Sequence, residues 1–320
     1  MATRRKPAAA PPAAAPASDV TIVVPAFNEE RGIGPVIEAL ARLAGRPRIL
    51  VIDDGSSDAT GAVARAAGAR VIRHARNRGY GAAVKTGVRN ARTRYVLLCD
   101  ADGQHRAEDV AKLVAARRPE AMVVGERGHG AYQVASRKPG KWLLTKVAES
   151  IAGERIPDLN SGLRIFDRAL VSRFLYLLPD GFSASTTVTL LFYRRGFDIS
   201  YVPIQTVVRV GTSTVKPLRD GLATLYLILK LVIVFHPLRF FVPPGIALVA
   251  IGFTQGTYRA LVSGRGFTVA GLLVAVTGLL TLFFGILADQ ISTLAANLAE
   301  RDLPPLPDDD GDEGAGGAVA

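Results

Sequence analysis

Residues 95–104 read Tyr95-Val96-Leu97-Leu98-Cys99-Asp100-Ala101-Asp102-Gly103-Gln104. An unbroken apolar run of strand length ends in two carboxylates one residue apart. Continuous apolar strands, as opposed to alternating ones, belong to sheets buried on both faces. The same pattern recurs on either side. Val20–Ala26, Ile49–Asp53, Arg70–Arg73, Tyr95–Asp100 and Ala121–Gly125 read as strands. Between them Gly34–Leu43, Asp58–Ala67, Gly81–Ala91 and Glu108–Arg117 read as helices. Strand–helix alternation predicts an α/β fold with a mostly parallel sheet. Such sheets bind ligands at the carboxyl ends of their strands. Asn28, Glu29, Asp53, Asp54, Asp100 and Asp102 all fall at or just after such ends.

Downstream the pattern is mixed. A basic helix over Lys141–Ala152 leads to the loop Pro157-Asp158-Leu159-Asn160-Ser161-Gly162. A strand at Leu163–Phe166, helices near Ala169–Leu177 and Thr186–Arg195, and a strand at Ile199–Val207 follow. Residues 217–236 intersperse Arg219, Asp220 and Lys230 among leucines, a pattern suited to a helix lying in a membrane interface. Phe240–Tyr258 and Gly266–Ala288 then run 19 and 23 residues without a formal charge. Each is long enough to cross a hydrocarbon core of about 30 Å. The link Arg259–Arg265 suits a hairpin.

The expected organisation is therefore a disordered Ala/Pro-rich tail (1–18), a catalytic domain (19–215), an interfacial amphipathic helix (216–236), a two-helix transmembrane hairpin (237–290) and an acidic disordered tail (291–320). One cysteine among 320 residues excludes a disulfide-stapled scaffold. The net charge of +11 conceals an asymmetry. From Asp289 onward there are eight acids and one base, which leaves 38 basic and 20 acidic residues over 1–288. A body this basic favours phosphorylated ligands or an anionic membrane surface. With a mean hydropathy of +0.24 and an apolar C-terminal third, the membrane is preferred over nucleic acid.

Three motifs carry chemistry. Asp100 and Asp102, where the chain turns at a strand end, can converge on a hard divalent cation, Mg²⁺ or Mn²⁺. A second acidic pair, Asp53-Asp54, ends another strand and can bind a base or ribose or help hold the metal; Ser57 or Asp58 can cap the next helix. Pro25-Ala26-Phe27-Asn28-Glu29-Glu30 closes the first strand with no G-x-G-x-x-G, which counts against a dinucleotide fold. Cys99 reads as an inert buried thiol, and His74 and His129 carry no readable signal.

In this order and at these strand ends, the motifs resemble those of the GT-A glycosyltransferases of family 2, whose catalytic domain is a Rossmann-like, mostly parallel sheet. Asp158-Leu159-Asn160-Ser161-Gly162-Leu163-Arg164, the Arg209…Lys216 segment and the hairpin after Phe235-His236-Pro237-Leu238-Arg239 look like the polyprenyl-phosphate members, a group that includes dolichyl-phosphate mannose synthase and bacterial undecaprenyl-phosphate glucosyl relatives. The resemblance implies an inverting, metal-dependent hexosyltransferase that uses a nucleotide sugar. It places Pro25, Phe27, Glu29 and Asp53, with Asp54 beside them, at the nucleoside. It places Asp100, Asp102 and Gln104 on the metal, and Arg127, Lys146 and Ser161 at the acceptor phosphate. Arg209 and Lys216 would flank the donor diphosphate. Thr214 stands where relatives carry lysine, and Lys216 where they carry arginine, so one diphosphate contact differs. UDP-glucose and GDP-mannose are both open as donor. The resemblance further implies an inner-membrane, multi-pass protein with its catalytic body in the cytoplasm, and it admits a homo-oligomer.

The alternatives are a membrane-bound polysaccharide synthase, a soluble glycosyltransferase and a non-catalytic nucleotide-sugar-binding membrane protein. Against the synthase, Trp142 is the only tryptophan and lacks a Q-x-x-R-W context.

Overall fold

The computed structural model describes residues 17–119, 121–128, 138–181, 183–205, 226, 229, 232–233, 236–264 and 267–301. Among these, seven strands form one sheet in the order β3-β2-β1-β4-β6-β5-β7. They are β1 (Val20–Ala26), β2 (Arg48–Asp53), β3 (Arg70–Arg73), β4 (Tyr95–Leu98), β5 (Ala121–Arg127), β6 (Arg164–Asp167) and β7 (Asp198–Ile204). The pairs β1–β2, β1–β4, β2–β3 and β5–β7 are parallel, so the expected mostly parallel sheet is present. Among the described strands only β6 runs against its neighbours, β4 and β5.

The described helices that clothe the sheet are α1 (Ile33–Ala41), α2 (Thr60–Ala66), α3 (Tyr80–Asn90), α4 (Ala107–Ala115), α5 (Lys138–Ala152), α6 (Arg168–Ser172) and α7 (Ala184–Arg195). On one face Ile22 and Val24 of β1 pack with Ile33 and Ile37 of α1 and Val110 and Leu113 of α4. On the other, Val23 packs with Val84 and Val88 of α3 and Phe192 of α7. Successive strand residues point to opposite faces, so β1 needs an apolar residue at every position. The catalytic body includes residues before 19, because Ala17–Asp19 form a short 3₁₀ turn and Ala17 is buried in the core. α6 is shorter than the expected Ala169–Leu177. Its start is fixed by Asp167, whose Oδ1 accepts the Ala169 amide at 2.9 Å.

Two long helices close the described chain, α8 (Pro237–Ser263) and α9 (Val269–Arg301). Pro237–Val262 and Val269–Leu294 are long and apolar enough to cross a membrane, with only 17% and 22% of their most apolar windows buried. Side chains such as Phe253, Leu261 and Phe283 face outward, which a core helix would not allow. The helices touch through glycines. A Cβ at Gly252 would meet the Gly271 carbonyl at 2.5 Å, and one at Gly278 would meet the Val249 amide at 2.6 Å.

The hairpin link is shorter than Arg259–Arg265, because α8 continues through Arg259 to Gly264, whose φ of 62° ends it. The expectation of a disordered tail from residue 291 is also corrected. α9 runs to Arg301 because the sequence there, Leu-Ala-Ala-Asn-Leu-Ala-Glu-Arg over 294–301, is rich in good helix formers. Most of 216–236 lies outside the described residues. The root of α8 is tied to the body: Arg239 Nη1 donates to the Ser150 carbonyl at 3.3 Å, and His236 Nε2 lies 3.4 Å from the Ile151 carbonyl.

Candidate active site

The loops after β1 and β2 form one side of the site. Asn28 holds a φ of 55°, a conformation asparagine tolerates, and its Oδ1 accepts the Ser57 amide at 2.9 Å. The Asn28 amide donates to Ser56 Oγ at 3.0 Å and the Glu29 amide to Thr60 Oγ1 at 2.8 Å. Asp58 accepts the amides of Thr60 and Glu30. Partial burial pushes its carboxyl up, but hydrogen bonds from Thr60 and Glu30 outweigh this and hold it below the usual carboxylate range. The two loops are thus zipped edge to edge, with Phe27 exposed at the rim and Pro25 buried behind it.

Asp53 is fully buried. Its Oδ1 accepts the Ser56 amide at 2.9 Å, and Arg73 Nε lies 3.5 Å from Oδ2. Asp54 turns the other way. It meets His74 Nδ1 at 2.6 Å and accepts the amides of Arg78 and Gly79 at 3.0 and 2.7 Å. His74 Nε2 in turn lies 2.9 Å from Thr86 Oγ1. Asp54 therefore orders the 74–79 loop, and the sequence reading missed His74 as its partner.

The acidic turn after β4 faces this pair of loops. Asp102 Oδ1 accepts the Gln104 amide at 3.1 Å, closing a tight turn. Gly32 lies between the two sides: a Cβ there would meet the Ala101 carbonyl at 3.1 Å and Glu29 Oε2 at 3.7 Å. Asp100 is partly exposed, with His105 Nε2 3.5 Å from its Oδ2. A Cβ at Gly162 would collide with the Asp100 carboxylate, so the loop after α5 leaves a cradle there.

That loop carries the third component. Arg127, at the end of β5, meets Asp158 in a two-pronged pair, Nε to Oδ2 at 2.7 Å and Nη2 to Oδ1 at 2.8 Å. The hydrogen bond to Asp158 raises the Arg127 pKa further, and the Asp100 charge adds to it. Asp158 also accepts the Asn160 amide at 3.2 Å, and Asn160 Oδ1 accepts a hydrogen bond from Thr186 Oγ1 at 2.8 Å. Ser161 is fully buried. Behind it the guanidinium of Arg164, also fully buried, donates to the carbonyls of Ser161 and Ser185 and to Thr189 Oγ1. Burial lowers its pKa, and nearby Tyr80, Tyr201, Asp158 and Asp100 oppose that effect.

Of the expected site residues, the structure brings Glu29, Asp100, Asp102, Arg127 and Ser161 around the carboxyl ends of β1, β4 and β5. Lys146 stands on the exposed side of α5, paired with Glu149 at 2.9 Å. Arg209 and Lys216 lie outside the described residues. Asp158 and Arg164 stood within a motif already singled out, but their partners are set by tertiary contact.

Among the described residues no three His, Cys, Asp or Glu side chains form a ready-made metal cage. A hard divalent cation of the magnesium kind needs only one or two carboxylates, with substrate phosphates and water completing its shell. Asp100 in its Gly162 cradle, with Asp102 and Gln104 beside it, fits that donor set.

Known proteins share this architecture. The family description "Glycosyl transferase family 2" matches residues 21–176, and "GtrB C-terminal hairpin" matches residues 236–294. Glycosyltransferase AglJ of Haloferax volcanii is 31% identical over 298 residues, covering 88% of this chain and 96% of that protein. Dolichyl-phosphate hexose transferase of the same organism is 29% identical over 64% of this chain and 90% of its own length. The fold is shared with glucosyl-3-phosphoglycerate synthase of Mycobacterium tuberculosis in complex with Mn²⁺, UDP-glucose and phosphoglyceric acid. That likeness has a TM-score of 0.54 at 22% identity and covers 66% of this chain and 81% of that one.

Proposed function

The chain belongs to glycosyl transferase family 2, and from that premise we propose that it transfers a hexose from a nucleotide sugar, UDP-glucose or GDP-mannose, to a polyprenyl phosphate with inversion at the anomeric carbon. One observation carries the reading. The acidic turn at Asp100 packs against Gly162, in the loop whose Asp158 pairs with Arg127, in a body whose α5 is hydrogen-bonded to the root of an outward-facing apolar hairpin. Relatives named as dolichyl-phosphate and dodecaprenyl-phosphate sugar enzymes support the acceptor class.

In this reading Asp100, Asp102 and Gln104 would hold a divalent cation, which when bound would offset the negative charge on the departing diphosphate. The zipped loops at Phe27–Glu30 and Asp53–Asp58 hold the nucleoside. Arg127 exchanges its fork from Asp158 to the acceptor phosphate, for which guanidinium geometry is suited. A phosphate monoester has a second pKa of about 6, so its oxygen is already ionised and needs no general base. The phosphate oxygen attacks the anomeric carbon from the face opposite the nucleoside diphosphate. The new C–O bond forms as the old one breaks, and the electron pair leaves with the diphosphate. Arg209 and Lys216 are assigned to that leaving group, and Lys146 to guiding the acceptor headgroup. The hairpin holds the site at the inner-membrane surface, with the body on the cytoplasmic side.

The test is transfer of radiolabelled sugar from each donor into a polyprenyl phosphate by the full chain in membranes. An organic-extractable, acid-labile product with inverted anomeric configuration supports the proposal. Incorporation into long polysaccharide, or none with any donor, overturns it.

A further inference from the structure

His105 follows the acidic turn, and its place next to Gln104 makes it a candidate ligand in the sequence. Its side chain is only 4% exposed. Among the described residues neither ring nitrogen has a hydrogen-bond partner. A buried imidazole without a partner is uncommon enough to require a reason. His105 is also one of the residues along a cleft of about 560 Å³ beside α1 and α4, with Val36, Asp109, Lys112 and Gln205. Nε2 points across 3.5 Å to Asp100 Oδ2, just beyond hydrogen-bonding distance. The Asp100 carboxylate fills the space that a Cβ at Gly162 would take. The carboxylate is therefore seated against the Gly162 backbone, with a donor that nearly reaches it.

We propose that His105 is a positioning residue for Asp100: its Nε2–H donates to Oδ2 and fixes the carboxylate in the orientation that receives the divalent cation. A small rotation of the carboxylate closes the gap and satisfies the buried nitrogen. Partners of this kind, one shell outside the metal, tune affinity by orienting the ligand. The inference rests on the cation reading above, so its test measures cation binding directly, with UDP or GDP present to complete the cation's shell, and needs no sugar transfer.

Mn²⁺ binding to the full-length protein in detergent, followed by electron paramagnetic resonance, reads the effect. His105→Leu keeps the bulk and removes the donor, and is expected to weaken Mn²⁺ by about tenfold. His105→Gln places an amide N–H near the position of Nε2, and His105→Asn near that of Nδ1. Gln should restore affinity to within about threefold of wild type while Asn does not. Equal affinity in wild type and Leu overturns the proposal, as does a folded Gln variant as weak as Leu. Should Leu fail to fold, equal affinities for Gln and Asn overturn it, and a Gln-only rescue supports it. Failure of wild type itself to bind Mn²⁺ overturns the cation reading and this inference together.

Discussion

Arg127 and Asp158 face each other as a fork, with two guanidinium nitrogens on separate carboxylate oxygens at 2.7 and 2.8 Å. The cation assigned to the acceptor phosphate is thus held ready by a carboxylate of matching shape. Replacing Arg127 with Ala should raise KM for polyprenyl phosphate by about 10–100-fold, the worth of a charged hydrogen bond. The donor KM should stay near wild type. Steady-state kinetics with each substrate varied checks this, and equal effects on both contradict the role. Lys146→Ala, at an exposed pair, should have the smaller effect.

Gly162→Ala should lower kcat by about 100-fold, because a Cβ displaces the Asp100 carboxylate and small misplacements near the chemistry are costly. The circular dichroism spectrum should be unchanged. Wild-type turnover in a folded variant would show that the cradle has no part in the reaction.

Asp102→Ala should abolish metal-dependent transfer, a loss of at least about 100-fold, while leaving the thermal midpoint close to wild type. Undiminished turnover would remove Asp102 from the cation site.

His74→Ala should destabilise the body by about 1–3 kcal/mol, since Asp54 and Thr86 lose their shared partner in a buried setting. Thermal melting checks the loss, and an unchanged midpoint would show the contact to be dispensable.

Burial pushes the Cys99 thiol pKa well above its usual value of about 8.5, with the Asp100 and Asp102 charges adding to the rise. The neutral thiol therefore persists as pH rises. Alkylation of the folded protein should not accelerate between about pH 7 and 9, the range in which an ordinary thiol ionises. Rapid labelling of the native protein at the upper end would contradict this.

Much of the fold was legible in the chain because it is written in local pattern. Val20–Ala26 and Arg70–Arg73 are read from apolar runs and coincide with β1 and β3. The hairpin follows from uncharged length. The antiparallel direction of β6 is not a property of residues 164–167, but of where the chain has travelled beforehand. The site divides in the same way. Asp100 and Asp102 announce themselves by standing at a strand end. The partners of Asp54 and Arg127 lie 20 and 31 residues away along the chain, and only folding pairs them. Arg164 belongs to a motif visible in the chain, but only β6 carries its guanidinium into the interior.

The hydrogen bonds joining Arg239 and His236 to the end of α5 make the hairpin a pedestal for the whole body. The elevation of the mouth above the lipid headgroups is then set by helix length. Adding one turn at the start of α8 would lift the site by about 5.4 Å and swing it through a full rotation. A short-tailed, freely diffusing acceptor would tolerate that change, and a bilayer-anchored one would not.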